Sequence, residues 1–331
     1  METRKVQQVG GGTYTVSLPR EWADNCGVEA GAPVYLYTHL DGSLVVRRRE
    51  RDDSDLASTT TTVEGASPAV AGRQLRAAYT TGFERITLTA ADEFTSEQRR
   101  VIGETARSFT GAEVAAESDD RITVRVLLDA DDISIQQSVL QLRFNAVSMQ
   151  EAAVGMLADA DADAAQVERR DDQVDRVFAL IARHFNRSQS DLEEIDKLGI
   201  DRRTLFRYYS VARQLERVAD HAVEVARVAD GVDDSLPPAL VDDVVALAAD
   251  ARQLVADASD VVVNGSGTDR ANATLDERDR VVERGRELAR SVDEESPEVA
   301  SPLTRTLHSI TRTAEIAGNV AEVALAGALL S

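Results

Sequence analysis

Lysine is nearly absent: Lys5 and Lys197 are the only two in 331 residues, although Lys and Arg together number 37. A single cysteine, Cys26, excludes an intrachain disulfide framework and reads as a small hydrophobe. Aromatic residues make up 4% of the chain, so its cores must be built from aliphatic side chains and alanine. Long apolar runs are missing too. The longest gently apolar stretch, residues 320–330, contains Glu322 and is far short of a membrane span. No charged-then-apolar leader opens the sequence, which predicts a cytoplasmic location. There is no Walker loop, dinucleotide fingerprint or nucleophile elbow, and no His-x-x-His or Glu-x-x-His pair. Gly10-Gly11-Gly12 precedes a strand pattern rather than a helix, so it reads as a turn. A non-enzymatic role is expected.

What is present is acid. Asp and Glu number 58, and the formal net charge is −21 at pH 7. Such a chain repels nucleic acid and anionic membranes, so contact with DNA needs a local basic patch. Abundant carboxylate with almost no lysine also suggests adaptation to high internal salt, a halophilic signature.

The pattern divides the chain. Residues 1–50 read as β-rich, with strands at 5–9, 13–18, 34–38 and 43–47. Pro19 opens a short helical stretch at 20–24, and His39-Leu40-Asp41-Gly42 makes a hairpin turn. Residues 51–65 are Thr-rich and charged and read as a linker. Residues 66–134 read as a small α/β module of unknown role: a helix at 66–79, a strand at 83–89, a helix opened by the capping pair Thr95/Gln98, and strands at 112–117 and 121–128. Residues 135–331 read as an all-α body of six helices, near 136–160, 164–186, 202–230, 237–260, 272–292 and 302–330. The expected fold is therefore multidomain: β-rich head, α/β module, helical bundle.

The body repeats itself. A shift of 99 carries Arg213, Glu216, Asp220 and Ala222 onto Arg312, Glu315, Asn319 and Ala321. A shift of 108 carries Asp171, Val174, Asp175 and Leu180 onto Asp279, Val282, Glu283 and Leu288. Two three-helix copies, about 136–230 and 237–330, account for both. The repeat singles out acidic pairs one helical turn apart, Asp171/Asp175 and Glu216/Asp220. Facing pairs would supply four oxygen donors suited to hard cations or to iron clusters in helical bundles.

The segment Arg213-Gln-Leu-Glu-Arg-Val-Ala-Asp-His-Ala-Val-Glu-Val-Ala226 resembles the signature of PhoU proteins, regulators of phosphate uptake. Asp171-Asp-Gln-Val-Asp175 resembles the acidic pattern of the preceding helix. The likeness covers about 136–330. It implies a phosphate-signalling protein whose metal ligands are Asp171, Asp175, Glu216 and Asp220, and in the second half Asp279, Glu283 and Glu315. Asn319 replaces an expected aspartate, so the second site should be weaker or empty. Divalent or ferric ions, among them Fe, Mn, Mg or Zn, are the implied cofactors. His221 stands beside Asp220 and could orient it.

Residues 4–23, from Arg4-Lys-Val-Gln-Gln-Val-Gly-Gly-Gly to Leu18-Pro-Arg-Glu-Trp-Ala23, with the hairpin after Gly31, are similar to the AbrB-type swapped-hairpin domain, a likeness that covers roughly 1–50. That family forms interlocked DNA-binding dimers. The likeness implies a homodimer or higher assembly that contacts DNA through Arg4, Lys5, Arg20, Arg47, Arg48 and Arg49. Residues 1–51 hold seven basic and six acidic side chains, near neutral against a strongly acidic remainder. The combination resembles archaeal phosphate-uptake regulators, with a phosphate-transporter ATPase as a further expected partner. The alternative is an adaptor that docks on the transporter while the head only dimerises.

Overall fold

A computed structural model describes residues 2–48, 56–65, 67–158, 164–232, 236–265 and 267–329. The chain forms two compact units, 1–57 and 58–331.

In the first unit, β1 (Gln7–Val9) pairs antiparallel with β2 (Thr13–Thr15), turning at Gly10, whose φ of +65° suits glycine. Pro19 precedes α1 (Arg20–Cys26), and Gly27 ends it in the left-handed conformation. Then β3 (Tyr35–Thr38) and β4 (Leu44–Arg47) form a hairpin in which Tyr35 faces Arg47 and Thr38 faces Leu44. The Asp41 carboxylate braces its turn by accepting from the Ser43 amide at 2.8 Å. Strands, short helix and hairpin thus follow the expected order. Among the described residues of this unit only His39 is buried, and no apolar side chain is. Tyr14, Leu36 and Leu40 are each about two-thirds exposed. Two isolated hairpins without a core are marginal in water.

The second unit opens with an α/β layer. β5 (Ser58–Thr62), α2 (Pro68–Thr81) and β6 (Arg85–Thr89) make a parallel crossover. α3 (Ser96–Ser108), β7 (Ala112–Glu117) and β8 (Arg121–Val126) complete a sheet of order β5-β6-β8-β7. The capping pair is realised: Thr95 Oγ1 accepts from Gln98 N at 3.2 Å, and Gln98 Oε1 accepts from Thr95 N at 2.9 Å. Leu75, Tyr79, Ile86, Leu88, Ile102 and Ile122 fill the core between helices and sheet. The expected linker needs correcting, because residues 58–62 of it are β5. Its threonines are β-branched but polar on both faces, so no apolar alternation marked the strand.

The bundle follows: α4 (Ile135–Gly155), α5 (Ala164–Ser190), α6 (Leu192–Leu198), α7 (Arg202–Asp230), α8 (Pro238–Asn264), α9 (Gly267–Val292) and α10 (Pro297–Ala328). α6 was not expected; Asp191 caps it and Gly199, at φ +65°, ends it, so it is a local turn of helix with no long periodicity. α10 starts at Pro297 rather than Pro302, with Pro297 at its first position and Pro302 inside its second turn. α7 and α10 bury alanine-rich seams, including Ala212, Ala219, Ala222, Ala314, Ala317 and Ala321, in one continuous core. α5 also packs on α2, and its Ala179 joins the core of the α/β layer. The expected division near residue 134 is therefore not a break between separate bodies: 58–331 is one unit.

A buried polar lock holds the layer to the bundle. Arg183 donates to the Tyr79 and Phe83 carbonyls at 3.0 and 2.9 Å, Asn186 to Thr80 O at 2.8 Å, and Arg187 to Gly82 O at 2.8 Å. These carbonyls lie at the end of α2 and just past it; Tyr79 O also accepts from Gly82 N at 3.1 Å, and the side chains of α5 serve the others where the helix has no further amides to offer. Glu194 of α6 completes the lock, receiving Arg187 Nε at 3.0 Å and sitting 2.5 Å from His184 Nδ1.

Candidate functional site

The four first-half carboxylates come together. Asp171 and Asp175 project from one face of α5, Glu216 and Asp220 from one face of α7, and the two helices pack on each other. Partial burial, helped by Asp175, Asp220 and Asp172, pushes the Asp171 carboxyl up to about 6. Burial and the charges of Asp220, Asp175 and Asp171 push Glu216 up to about 7. Asp220 is raised for the same reasons, burial first and then Asp175. The carboxylates of α5 thus act on those of α7, and Asp220 on Asp171 in return.

One neighbour had no signal in the sequence. Arg76, from α2 nearly a hundred residues earlier, places Nη1 3.0 Å from Asp175 Oδ2. Asp175 is thereby held toward the α/β layer. Among the described residues no three His, Cys, Asp or Glu side chains converge as a metal-ion site. The donor chemistry fits a hard cation and the mutual repulsion favours one, but the side chains as placed do not close on a single point.

The second half differs in kind. Asp279 pairs with Arg278 at 2.7 Å, and Glu283 with Arg286 and Arg290 at 3.3 and 3.1 Å. Glu315 pairs with Arg312, and Asn319 donates to Gln214 at 3.3 Å. Arginine neutralises each carboxylate singly, and none of the three is drawn into a cluster. The expectation of a weaker second site rested on Asn319; these arginines are a second reason. Burial and the charges of Arg312, His308 and Arg217 lower the pKa of His221, and Asp220 is not among the charges that act on it.

In the head unit, Arg20 opens α1 with its side chain 94% exposed and 3.5 Å from Asp24. Arg4 pairs with Glu2 at 2.5 Å, and Lys5 is exposed. Arg47 ends β4 half-buried. Arg48 lies over Gly27, where an added Cβ would come within 3.0 Å of its Nη1. Arg48 thus meets the end of α1 and Arg20 its start, roughly 10 Å apart along the helix. Arg49 lies outside the described residues.

Among the described residues no helix is long and apolar enough to cross a membrane. No curated protein matches the chain. The crystal structure of PhoU from Pseudomonas aeruginosa is similar at 22% identity, covering 58% of this chain and 93% of that one with a TM-score of 0.48. Residues 139–229, which run from α4 through α7 and contain Asp171, Asp175, Glu216 and Asp220, match the family model of the PhoU domain.

Proposed function

We propose that this chain is a dimeric, DNA-binding transcriptional regulator of phosphate uptake, and not an enzyme. The PhoU-domain match at residues 139–229 carries the phosphate assignment. The head supports the rest: it has strands, a short helix and exposed basic side chains, but no buried apolar residue among those described. A second copy of the chain supplies the missing core by interlocking hairpins. In that dimer Lys5, Arg20 and the Arg47–Arg49 run contact phosphates and base edges.

The carboxylates of α5 and α7 form the sensory site in this reading. A divalent or ferric cation there would be held by Asp171, Asp175, Glu216 and Asp220, and would supply positive charge to a cluster that repels itself. Asp175 would then answer to the cation rather than to Arg76. The α/β layer would feel the change through α2, on which Arg76 stands. Binding of the full chain to duplex DNA from phosphate-transporter promoters tests the assignment. Arg20→Ala with Lys5→Ala should abolish specific binding. Unchanged phosphate control in that variant would favour the adaptor reading, in which the body docks on the transporter ATPase.

A further inference from the structure

Two cavities lie at opposite ends of the contact between α7 and α10, and the internal repeat relates them. One, of about 800 Å³, sits between the start of α7 and the end of α10. The other, of about 610 Å³, sits between the end of α7 and the start of α10. The shift of 99 carries Arg202, Arg203 and Phe206 of the first onto Ser301, Pro302 and Arg305 of the second. The two cavities are the same place in the fold, lined differently.

The smaller cavity is neutralised. Its Arg227 pairs with Glu168 at 3.1 Å and its Arg305 with Glu224 at 2.5 Å. The larger one is not. Arg202 and Arg203 are exposed, and their side chains make no hydrogen bond or ion pair among the described residues. Of the two acids in the lining, Asp201 and Glu322, Asp201 is committed to capping α7: it accepts from Arg203 N at 2.9 Å, Thr204 N at 3.0 Å and Thr204 Oγ1 at 2.7 Å. The helix end is therefore satisfied, and the unmet donors belong to side chains.

Arg207 adds another. Its stem lies against Gly327, where an added Cβ would fall 2.5 Å from Nη1. Thr204 Oγ1 takes Nη2 at 2.9 Å, while Nε is buried with no acceptor among the described residues. The facing wall, from α10, carries one carboxylate, the exposed Glu322, among small and apolar residues, so the three arginines of α7 outnumber the acids Asp201 and Glu322. Phe206 is 57% exposed, and Val323 and Ala326 line the opposite side with Asn319 beside them. An unpaired guanidinium group favours phosphate oxygens in bidentate geometry, and an exposed ring favours a flat base. A space of this size holds a ligand carrying both.

We infer that this cavity binds a nucleoside polyphosphate, its phosphates on Arg202 and Arg203 and its base against Phe206. The inference is independent of DNA binding and of the carboxylate site.

The test is calorimetric titration of the full chain with ATP, inorganic triphosphate and adenosine. Divalent cations are left out, so that the carboxylates of α5 and α7 take no part. ATP should bind at one site, and triphosphate and adenosine each roughly tenfold more weakly. Arg202→Ala with Arg203→Ala should weaken ATP by roughly a hundredfold. Phe206→Ala should bring ATP down to the level of triphosphate and leave triphosphate unchanged. All three positions are exposed, and circular dichroism verifies that the variants fold. No binding of ATP at millimolar concentration would overturn the inference. So would equal affinity for ATP and triphosphate, or undiminished ATP binding in the double variant.

Discussion

Arg76 of α2 and Asp175 of α5 form an ion pair of 3.0 Å that ties the α/β layer to the carboxylate cluster of the bundle. The same guanidinium lies 5.6 Å from the centre of the Phe109 ring, so its position is fixed from two sides. The charge on Asp175 and the docking of α2 thus share one arginine.

The cluster sets a pH dependence. Asp171 and Glu216 have folded-state pKa values raised to about 6 and about 7. A raised acid binds its proton more tightly in the folded chain, so it favours folding at low pH, and that contribution is lost as pH rises through the folded value. The window runs from about pH 4 to about pH 7. Glu216→Gln should be more stable than the parent at pH 8 and equal to it near pH 4, by urea midpoints. Parallel pH profiles for the two would contradict the placement of Glu216.

A cation should relieve the same repulsion. Mn²⁺ or Mg²⁺ should raise the melting temperature of the full chain. Asp171→Asn, Asp175→Asn, Glu216→Gln and Asp220→Asn together should remove the rise. Asp279→Asn, Glu283→Gln and Glu315→Gln should leave it intact, because arginines already neutralise those three. Loss of the effect in the second set alone would reverse the assignment.

The lock between layer and bundle should be costly to break. Glu194 is 2% exposed and answers both His184 and Arg187. Its side chain is buried, yet His184 and Arg187 hold its carboxyl below the usual range. A lowered acid contributes stability above its unfolded pKa and loses it on acidification, so the contribution is complete at pH 7. Glu194→Ala should cost about 3 kcal/mol in denaturant unfolding at pH 7, since it takes the carboxylate from buried His184 and leaves Arg187 with only the exposed Glu84, at 3.2 Å. A cost under about 1 kcal/mol would place Glu194 in water.

The head should need a second copy. Leu36 on β3 is 65% exposed. Leu36→Asp should convert a dimer to a monomer in sedimentation and remove DNA binding with it. A parent chain that sediments as a monomer would contradict the interlocked arrangement.

Much of this was legible in the sequence. The hairpin turn at Asp41-Gly42, the capping pair Thr95/Gln98 and the alanine seam of α7 are local or periodic signals, and each lies where its pattern put it. The acidic pairs 171/175 and 216/220 could be placed on helix faces because spacing alone fixes a face. What the sequence hid is of two kinds. β5 is polar on both sides, and so carries no alternation. Arg76, Arg183 and Arg187 act across about a hundred residues, and nothing in a one-dimensional pattern singles them out from a chain whose basic residues are nearly all arginine. The loss of charge at Asn319 was visible; the arginines that neutralise Asp279, Glu283 and Glu315 became meaningful only with distances.

The most direct test is genome-wide occupancy of the full chain in phosphate-rich and phosphate-starved cells, with Arg20→Ala as control. Occupancy at phosphate-transporter promoters should change with phosphate and vanish in the variant. Binding nowhere on DNA under either condition, with phosphate control intact, would contradict the account.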